Sequence, residues 1–320
     1  MEALRFSFTA IFPIVILMAL GFFLGRIGLI RQQLIDDSTK LLFNVAIPVL
    51  VFVDLMESEI GASFDPRLML FAVLGLLVVA LLLRLIVPRF IPEPPAVATF
   101  VQGCFRANII ILGIPIISNI CGSLAATRLA MVASVIGPLY GIVAVFIFAS
   151  CMGGGPDGKQ RLGPKAILKL IFTNPVVIGC LAGMLASIIN LEAYMPHVIS
   201  ETLDELSAMV LPLSLLVQGA GIRFQGEGQC LRRSLAAALI KVLLLPILAL
   251  LIAWLLGFRG MDLAVLMVLF GAPASVSSFA MAHQMGGDHR MASMIVVFSN
   301  VLCIFTIFAF VFFLRLMGQI

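Results

Sequence analysis

The side chains that could do chemistry in this chain are few, and they sit inside long apolar runs. Arg106 and Asn108 lie close together in the stretch PPAVATFVQGCFRANIIILGIPIISNICG, with Gln102 one turn earlier. Ser275, Ser277 and Ser278 follow Pro273 in a second such stretch, MDLAVLMVLFGAPASVSSFAMAHQMGG. A charge at the centre of a membrane helix costs about 2.5–3.5 kcal/mol on insertion scales. Arg106, 11 residues in from Pro95, therefore needs a purpose. It can meet a carboxylate, or it can cap carbonyls freed where a helix breaks. The Asn108 amide both donates and accepts, which suits contact with a polar substrate. Lys241, eight residues past Arg233, is a possible charge partner at a depth of about 12 Å. It can also snorkel back to the interface. The serines offer hydroxyls or serve as small packing residues. Tyr140 can face the same site, and Asn44 can contact substrate or bond to a neighbouring helix. No Asp or Glu lies at mid-span, which speaks against a carboxylate cation cage and a proton relay. Cationic and amide groups without carboxylates favour an anionic substrate.

Two glycine-proline interruptions flank these residues, Gly113-Ile114-Pro115 and Gly271-Ala272-Pro273. Proline removes an N–H and clashes with the preceding turn, so both stretches are expected to break there. Interruptions at corresponding places in two halves of a membrane chain point to a binding site. Each following half-helix would aim its N–H groups at the break.

The elements that must carry these residues follow from composition. Of 320 residues, 62% are apolar and 11% charged. A soluble globule is nearer 45–50% and about 25%. An all-α membrane protein is expected. Spans of about 20 apolar residues fall at 6–28, 37–56, 67–88, 95–121, 125–151, 165–190, 197–222, 232–256, 261–284 and 290–316. With the N-terminus outside, twelve Lys and Arg lie on inside connections. Five lie outside: Arg5, Arg67, Arg128, Arg259 and Arg315. The positive-inside rule then puts both termini outside and the central loop in the cytoplasm.

Five spans precede that loop and five follow, so the halves have opposite orientation. Pro13 and Pro175 lie 162 residues apart, as do Thr127 and His289, which open spans 5 and 10. Pro48 matches Pro212, and Pro115 matches Pro273. The expected architecture is ten transmembrane helices in a 5+5 inverted repeat, with broken, crossing helices 4 and 9. The first repeat is 1–151, the loop 152–164 and the second repeat 165–320.

Other classes are set aside on the same grounds. The net charge of +4 comes without a basic run interleaved with aromatics, so no nucleic-acid partner is expected. The six Cys show no CxxC pair and the three His no ligand spacing, so no metal site and no cofactor are expected. The first apolar run, Phe6 to Leu24, does not read as a cleaved signal. No mid-membrane Ser–His pair, paired Asp or HExxH is present, so catalytic residues are not assigned and an enzyme is not expected. His283 has no evident partner in the sequence. A non-transporting receptor or channel is separated from a transporter by flux per protein. No nucleotide-binding motif is present, so any transport draws on gradients.

The run Asn108-Ile-Ile-Ile-Leu-Gly113-Ile114-Pro115 and the stretch PASVSSFAMA from Pro273 resemble the auxin efflux carrier family, which includes the plant PIN exporters and bacterial malonate and malate permeases. The resemblance covers essentially the whole chain. It implies a scaffold of spans 1, 2, 6 and 7 that forms a homodimer through spans 2 and 7. It implies a transport domain of spans 3–5 and 8–10 that moves as an elevator. Asn108 would contact the substrate carboxylate, Pro115 and Pro273 would make the crossover, and Tyr140 would line the pocket. The implied function is secondary transport of a small organic anion across the plasma (bacterial inner) membrane. Malonate, malate and auxin-like acids are the candidates. The central loop is short, as in the bacterial branch. Span 3 lacks the Asp/Lys pair of the plant carriers, which speaks against plant-like auxin specificity. The alternative is a sodium-coupled symporter of the bile-acid type, which shares the crossover architecture.

Overall fold

The computed structural model describes residues 16–56, 65–152, 173, 175–221 and 228–320. The start of the first span with Pro13, most of the 152–164 loop, the entry to the sixth span with Asn174, and Arg223 lie outside the described residues. Among the described residues the chain is helical and has no strand; five helices are long and apolar enough to cross a membrane. The first half contains α1 (Ile16–Arg26), α2 (Gln32–Leu41), α3 (Ile47–Met56), α4 (Pro66–Ile86), α5 (Pro94–Phe105), α6 (Ile114–Cys121) and α7 (Ser123–Cys151). The second contains α8 (Pro175–Ile188), α9 (His197–Ala208), α10 (Val210–Gly221), α11 (Gly228–Leu239), α12 (Leu245–Leu255), α13 (Met261–Gly271), α14 (Ser277–Gln284) and α15 (His289–Leu316).

Among the described residues, three prolines are carried in their helices behind π turns. Pro48, Pro115 and Pro246 each follow a wide π turn, at Leu42–Ala46, Ile109–Gly113 and Ile240–Leu244. In each, the residue just before proline donates its N–H five residues back: Ile47 to Leu42, Ile114 to Ile109, Leu245 to Ile240. The extra residue in the turn gives room for a ring that would otherwise strike the carbonyl four residues earlier.

This corrects one expectation. The break in the fourth stretch is not at Gly113–Pro115, which lies in continuous helix. It is at Arg106–Asn108, where α5 ends with Arg106 extended (φ −76°, ψ 126°). The second break falls after Gly271, around Pro273, as its proline requires. The two extended segments pair. Ala107 and Ala274 form an antiparallel bridge, and the Asn108 N–H donates to the Pro273 carbonyl at 2.9 Å. The partner of Pro273 at the crossing is thus the Arg106–Asn108 segment, not Pro115. Pairing answers the backbone groups that the breaks set free.

The half-helices α5 and α13 are encased: all residues from Ala96 to Phe105 and from Leu263 to Gly271 are buried. Around them pack α4, α6, α7, α11, α12 and α15. A second group forms beside these, with α3 along α8 and α9, and α2 along α10. Its helices meet backbone to backbone. A Cβ on Gly21 or Gly219 would collide with the carbonyl of Leu216 or Met18, joining α1 to α10. A Cβ on Gly183 would lie 2.8 Å from the Phe52 carbonyl oxygen, joining α8 to α3. Small residues permit this approach in an apolar bundle. The groups touch along α7 with α3 and α8, and along α14 with α2 and α10.

Candidate functional site

The crossing opens on a cavity of about 340 Å³ between the two groups of helices. Its polar side is the crossing itself. Arg106 ends α5 and is 7% exposed; Asn108 precedes the π turn and is 5% exposed. Ser275 and Ser277 enter from the other break, and Tyr140 from α7. Its apolar side is made by Ile47, Leu50 and Val51 of α3 with Val210 and Leu211 of α10. The size is at the lower end of ligand cavities, which run to about 300–1,000 Å³.

The polar groups are held in place from behind. One Arg106 Nη donates to Ser277 Oγ at 2.8 Å and the other to Met281 Sδ at 3.1 Å, both on α14. The Ser275 and Ser277 hydroxyls are 2.9 Å apart. The Ala274 N–H donates to Ser299 Oγ at 3.0 Å, which anchors the second break to α15. Asn108 differs: its Nδ2 is buried without a hydrogen-bond partner among the described residues. A buried amide donor left unmet costs about 1–3 kcal/mol. Arg106 is the only charged side chain among the described lining residues, and it is positive. The first turns that follow each break add N–H groups at the positive ends of helix dipoles.

The cavity therefore gathers Arg106, Asn108, Tyr140, Ser275 and Ser277. It does not include Asn44, which is exposed and donates to the carbonyl of Lys40 at 2.9 Å within its own helix. Among the described residues Asn44 forms no helix–helix bond either. Lys241 does not snorkel. It is 1% exposed and its ammonium nitrogen donates to the Phe270 carbonyl at 2.7 Å, at the last turn of α13. Its position in the Ile240–Leu244 π turn points it into the bundle. His283 has a partner after all, since its Nε2 lies 3.1 Å from Asp36 of α2. Sequence reading missed Ser299, although Ser299-Asn300 is a polar pair in an apolar run, the same signal that exposed Arg106 and Asn108. It missed Met281, for which no sequence signal exists.

An apolar helical bundle with a polar cavity at the crossing of two broken helices is the frame of a membrane transport protein. The profile of the membrane transport protein family matches residues 6–155 and 159–311. The chain belongs to this family, which is that of the auxin efflux carriers. It is also similar to a curated protein of Methanothermobacter thermautotrophicus described as an uncharacterized transporter. The two are 22% identical over 303 residues, 92% of this chain and 94% of the other. The family is one of transporters and not of enzymes.

Proposed function

We propose that the protein is a secondary transporter of a small organic anion, a mono- or dicarboxylate such as malonate or malate or an auxin-like acid. The observation that carries this is the cavity at the crossing, with one positive side chain, Arg106, and one unmet amide donor, Asn108 Nδ2. A carboxylate placed there would accept from both, and its apolar remainder would lie against Leu50, Val51 and Leu211. Charge-assisted hydrogen bonds of this kind are about twice as strong as neutral ones.

In this reading the chain has ten spans in an inverted repeat, 1–151 and 165–320, with both termini outside the bacterial inner membrane. Support comes from the glycine seams. Gly21 and Gly183 are 162 residues apart, the offset of Pro13 and Pro175. The residues they face, Leu216 and Phe52, are 164 apart, the offset of Pro48 and Pro212. Spans 1, 2, 6 and 7 form the scaffold and homodimer contact; spans 3–5 and 8–10 carry the cavity as an elevator. The division into two packing groups, with the cavity between them, supports this assignment.

The test is binding and flux. Purified protein is screened by thermal shift against mono- and dicarboxylates, then reconstituted for uptake of labelled acid with and without sodium. Saturable uptake without sodium supports the reading. Uptake that needs sodium returns it to the bile-acid type, and no carboxylate binding at all refutes it.

A further inference from the structure

A groove of about 680 Å³ runs between α4 and α12 and shares no lining residue with the cavity at the crossing. Both helices pack on the buried α13. Leu70, Leu74 and Val78 recur every four residues along α4, and Leu248 and Ile252 line the groove from α12; all five are exposed. The floor is aromatic. Phe71 lies edge-on to Phe258 and to Phe270, with ring centroids 5.3 and 6.3 Å apart. Gly75 makes room for this floor, since a Cβ there would lie 2.8 Å from the Phe270 ring.

The groove is long and narrow. From Arg67 to Ile86, both of which line it, α4 rises about 28 Å. A volume of 680 Å³ spread over that length leaves a channel roughly 5–6 Å across, whereas a helix with its side chains needs about 10–12 Å. A hydrocarbon chain fits such a channel and a further helix does not.

Charge is confined to one end. Arg67 is the only polar side chain among the described lining residues. It is exposed, its guanidinium lies 5.0 Å from the Phe258 ring centroid, and one N–H donates to the Leu256 carbonyl. A guanidinium has five N–H donors, so donors are left for an anion. Arg259 stands at the same end of α12, bonded to the Trp254 and Phe258 carbonyls at 2.6 and 2.7 Å. The acidic groups nearest in sequence are engaged: Asp65 caps the first turn of α4, and Asp262 pairs with Arg128. Arg and Trp beside an apolar surface mark the headgroup level of a bilayer. At the Ile86 end no charged side chain lines the groove, and Arg84 is turned to Ser150 of α7, donating to its hydroxyl and carbonyl at 3.2 Å.

We propose that this groove holds one acyl chain of an anionic phospholipid, with the lipid phosphate at Arg67 and Arg259. One leaflet supplies about half of the 30 Å hydrocarbon core, and Arg67 to Val78 spans about 16 Å of helix. The chain therefore fills the half of the groove next to Arg67. A net-negative headgroup such as phosphatidylglycerol meets two guanidinium groups there. A zwitterionic headgroup brings its own ammonium against them and is disfavoured. The site is separate from the crossing and does not rest on the anion reading above.

The test uses full-length protein in detergent, titrated with phosphatidylglycerol or phosphatidylcholine carrying the same oleoyl chains, with bound lipid counted by native mass spectrometry. Wild type is expected to hold one phosphatidylglycerol at least about fivefold more tightly than phosphatidylcholine, the factor that one Arg near an anionic headgroup supplies. Arg67→Gln is expected to lower that preference about fivefold, and Arg67→Lys to retain it. Leu248→Trp narrows the groove and leaves Arg67 in place; it is expected to weaken both lipids, and it keeps the test valid if Arg67→Gln does not fold. Glycerol 3-phosphate is expected not to compete. Equal affinity of wild type for the two lipids overturns the proposal, as does undiminished lipid binding by Leu248→Trp. Competition by glycerol 3-phosphate makes this a site for a soluble phosphate and overturns the role of the groove. Loss of a dimer in Leu248→Trp makes the groove a contact between copies of this chain and overturns it as well.

Discussion

Replacing Asn108 by alanine separates binding from folding, because the amide nitrogen has no hydrogen-bond partner to lose among the described residues. Its Nδ2 is buried and unmet among the described residues. The contact that ties Asn108 to the crossing is its backbone N–H to the Pro273 carbonyl, and Asn108→Ala keeps that bond. The empty variant is therefore expected to melt at or slightly above the wild-type temperature, since an unsatisfied buried donor has been removed. The bound state changes in the other direction. A hydrogen bond to a charged group contributes about 1.5–3 kcal/mol. At about 1.4 kcal/mol per decade, this weakens carboxylate binding roughly 12- to 150-fold. The assay is a pair of measurements on the same purified protein, melting temperature without ligand and malonate affinity by calorimetry. Unchanged affinity would refute the placement of the carboxylate at Asn108. A large loss of melting temperature would show that the amide supports the fold through a contact that the empty structure does not contain.

Three further outcomes are expected. Arg106→Lys loses the fork that reaches Ser277 and Met281 at once, and a lysine cannot replace it. Affinity should fall about tenfold or more, at about 1.4 kcal/mol per decade; a lower melting temperature at unchanged affinity would make Arg106 a cap of the break instead. Pro115→Ala changes a residue in the continuous helix after the π turn, outside the Arg106–Asn108 crossing, so malonate affinity should stay within about threefold, under 0.7 kcal/mol. A complete loss would return the break to Gly113–Pro115. Gly183→Leu places a side chain against the Phe52 carbonyl, and overpacking of this kind costs about 1–3 kcal/mol. It should lower the melting temperature clearly, and an unchanged value would argue against the close approach of α3 and α8.

Much of this was legible in the sequence, for physical reasons. Apolar runs of membrane length announce helices because lipid offers no partner for backbone groups. Arg106 and Asn108 announce the site because polar atoms at that depth are expensive. What misled was proline. Pro115 and Pro273 look alike in sequence, yet one sits behind a π turn and the other at a true break. The difference lies in the room available to the preceding turn and in the strand partner that each segment finds, and both are tertiary facts. Lys241 was left open between burial and snorkelling for a related reason, since depth along a span does not tell which way a side chain turns. Asn44 shows the reverse case, a polar residue that satisfies itself within its own helix and leaves the cavity to others.

The glycine seams bear on selectivity as well as on packing. α3 and α10 supply the apolar wall opposite Arg106, and each is backed by another helix with no side chain between the main chains. Side-chain packing can yield by changing rotamer, whereas a main chain resting on a main chain has no such freedom. The wall formed by Leu50, Val51, Val210 and Leu211 thus behaves as a fixed jaw, and the crossing as the jaw that carries the charge. On the anion reading proposed above, such a gauge would admit acids by length and girth, and an extra methylene would be felt in full because nothing behind the wall can give way. Enlarging the gap then requires trimming the jaw itself. Leu50→Ala should shift preference toward bulkier acids in a binding screen, and an unaltered order of preference would mean that the wall yields.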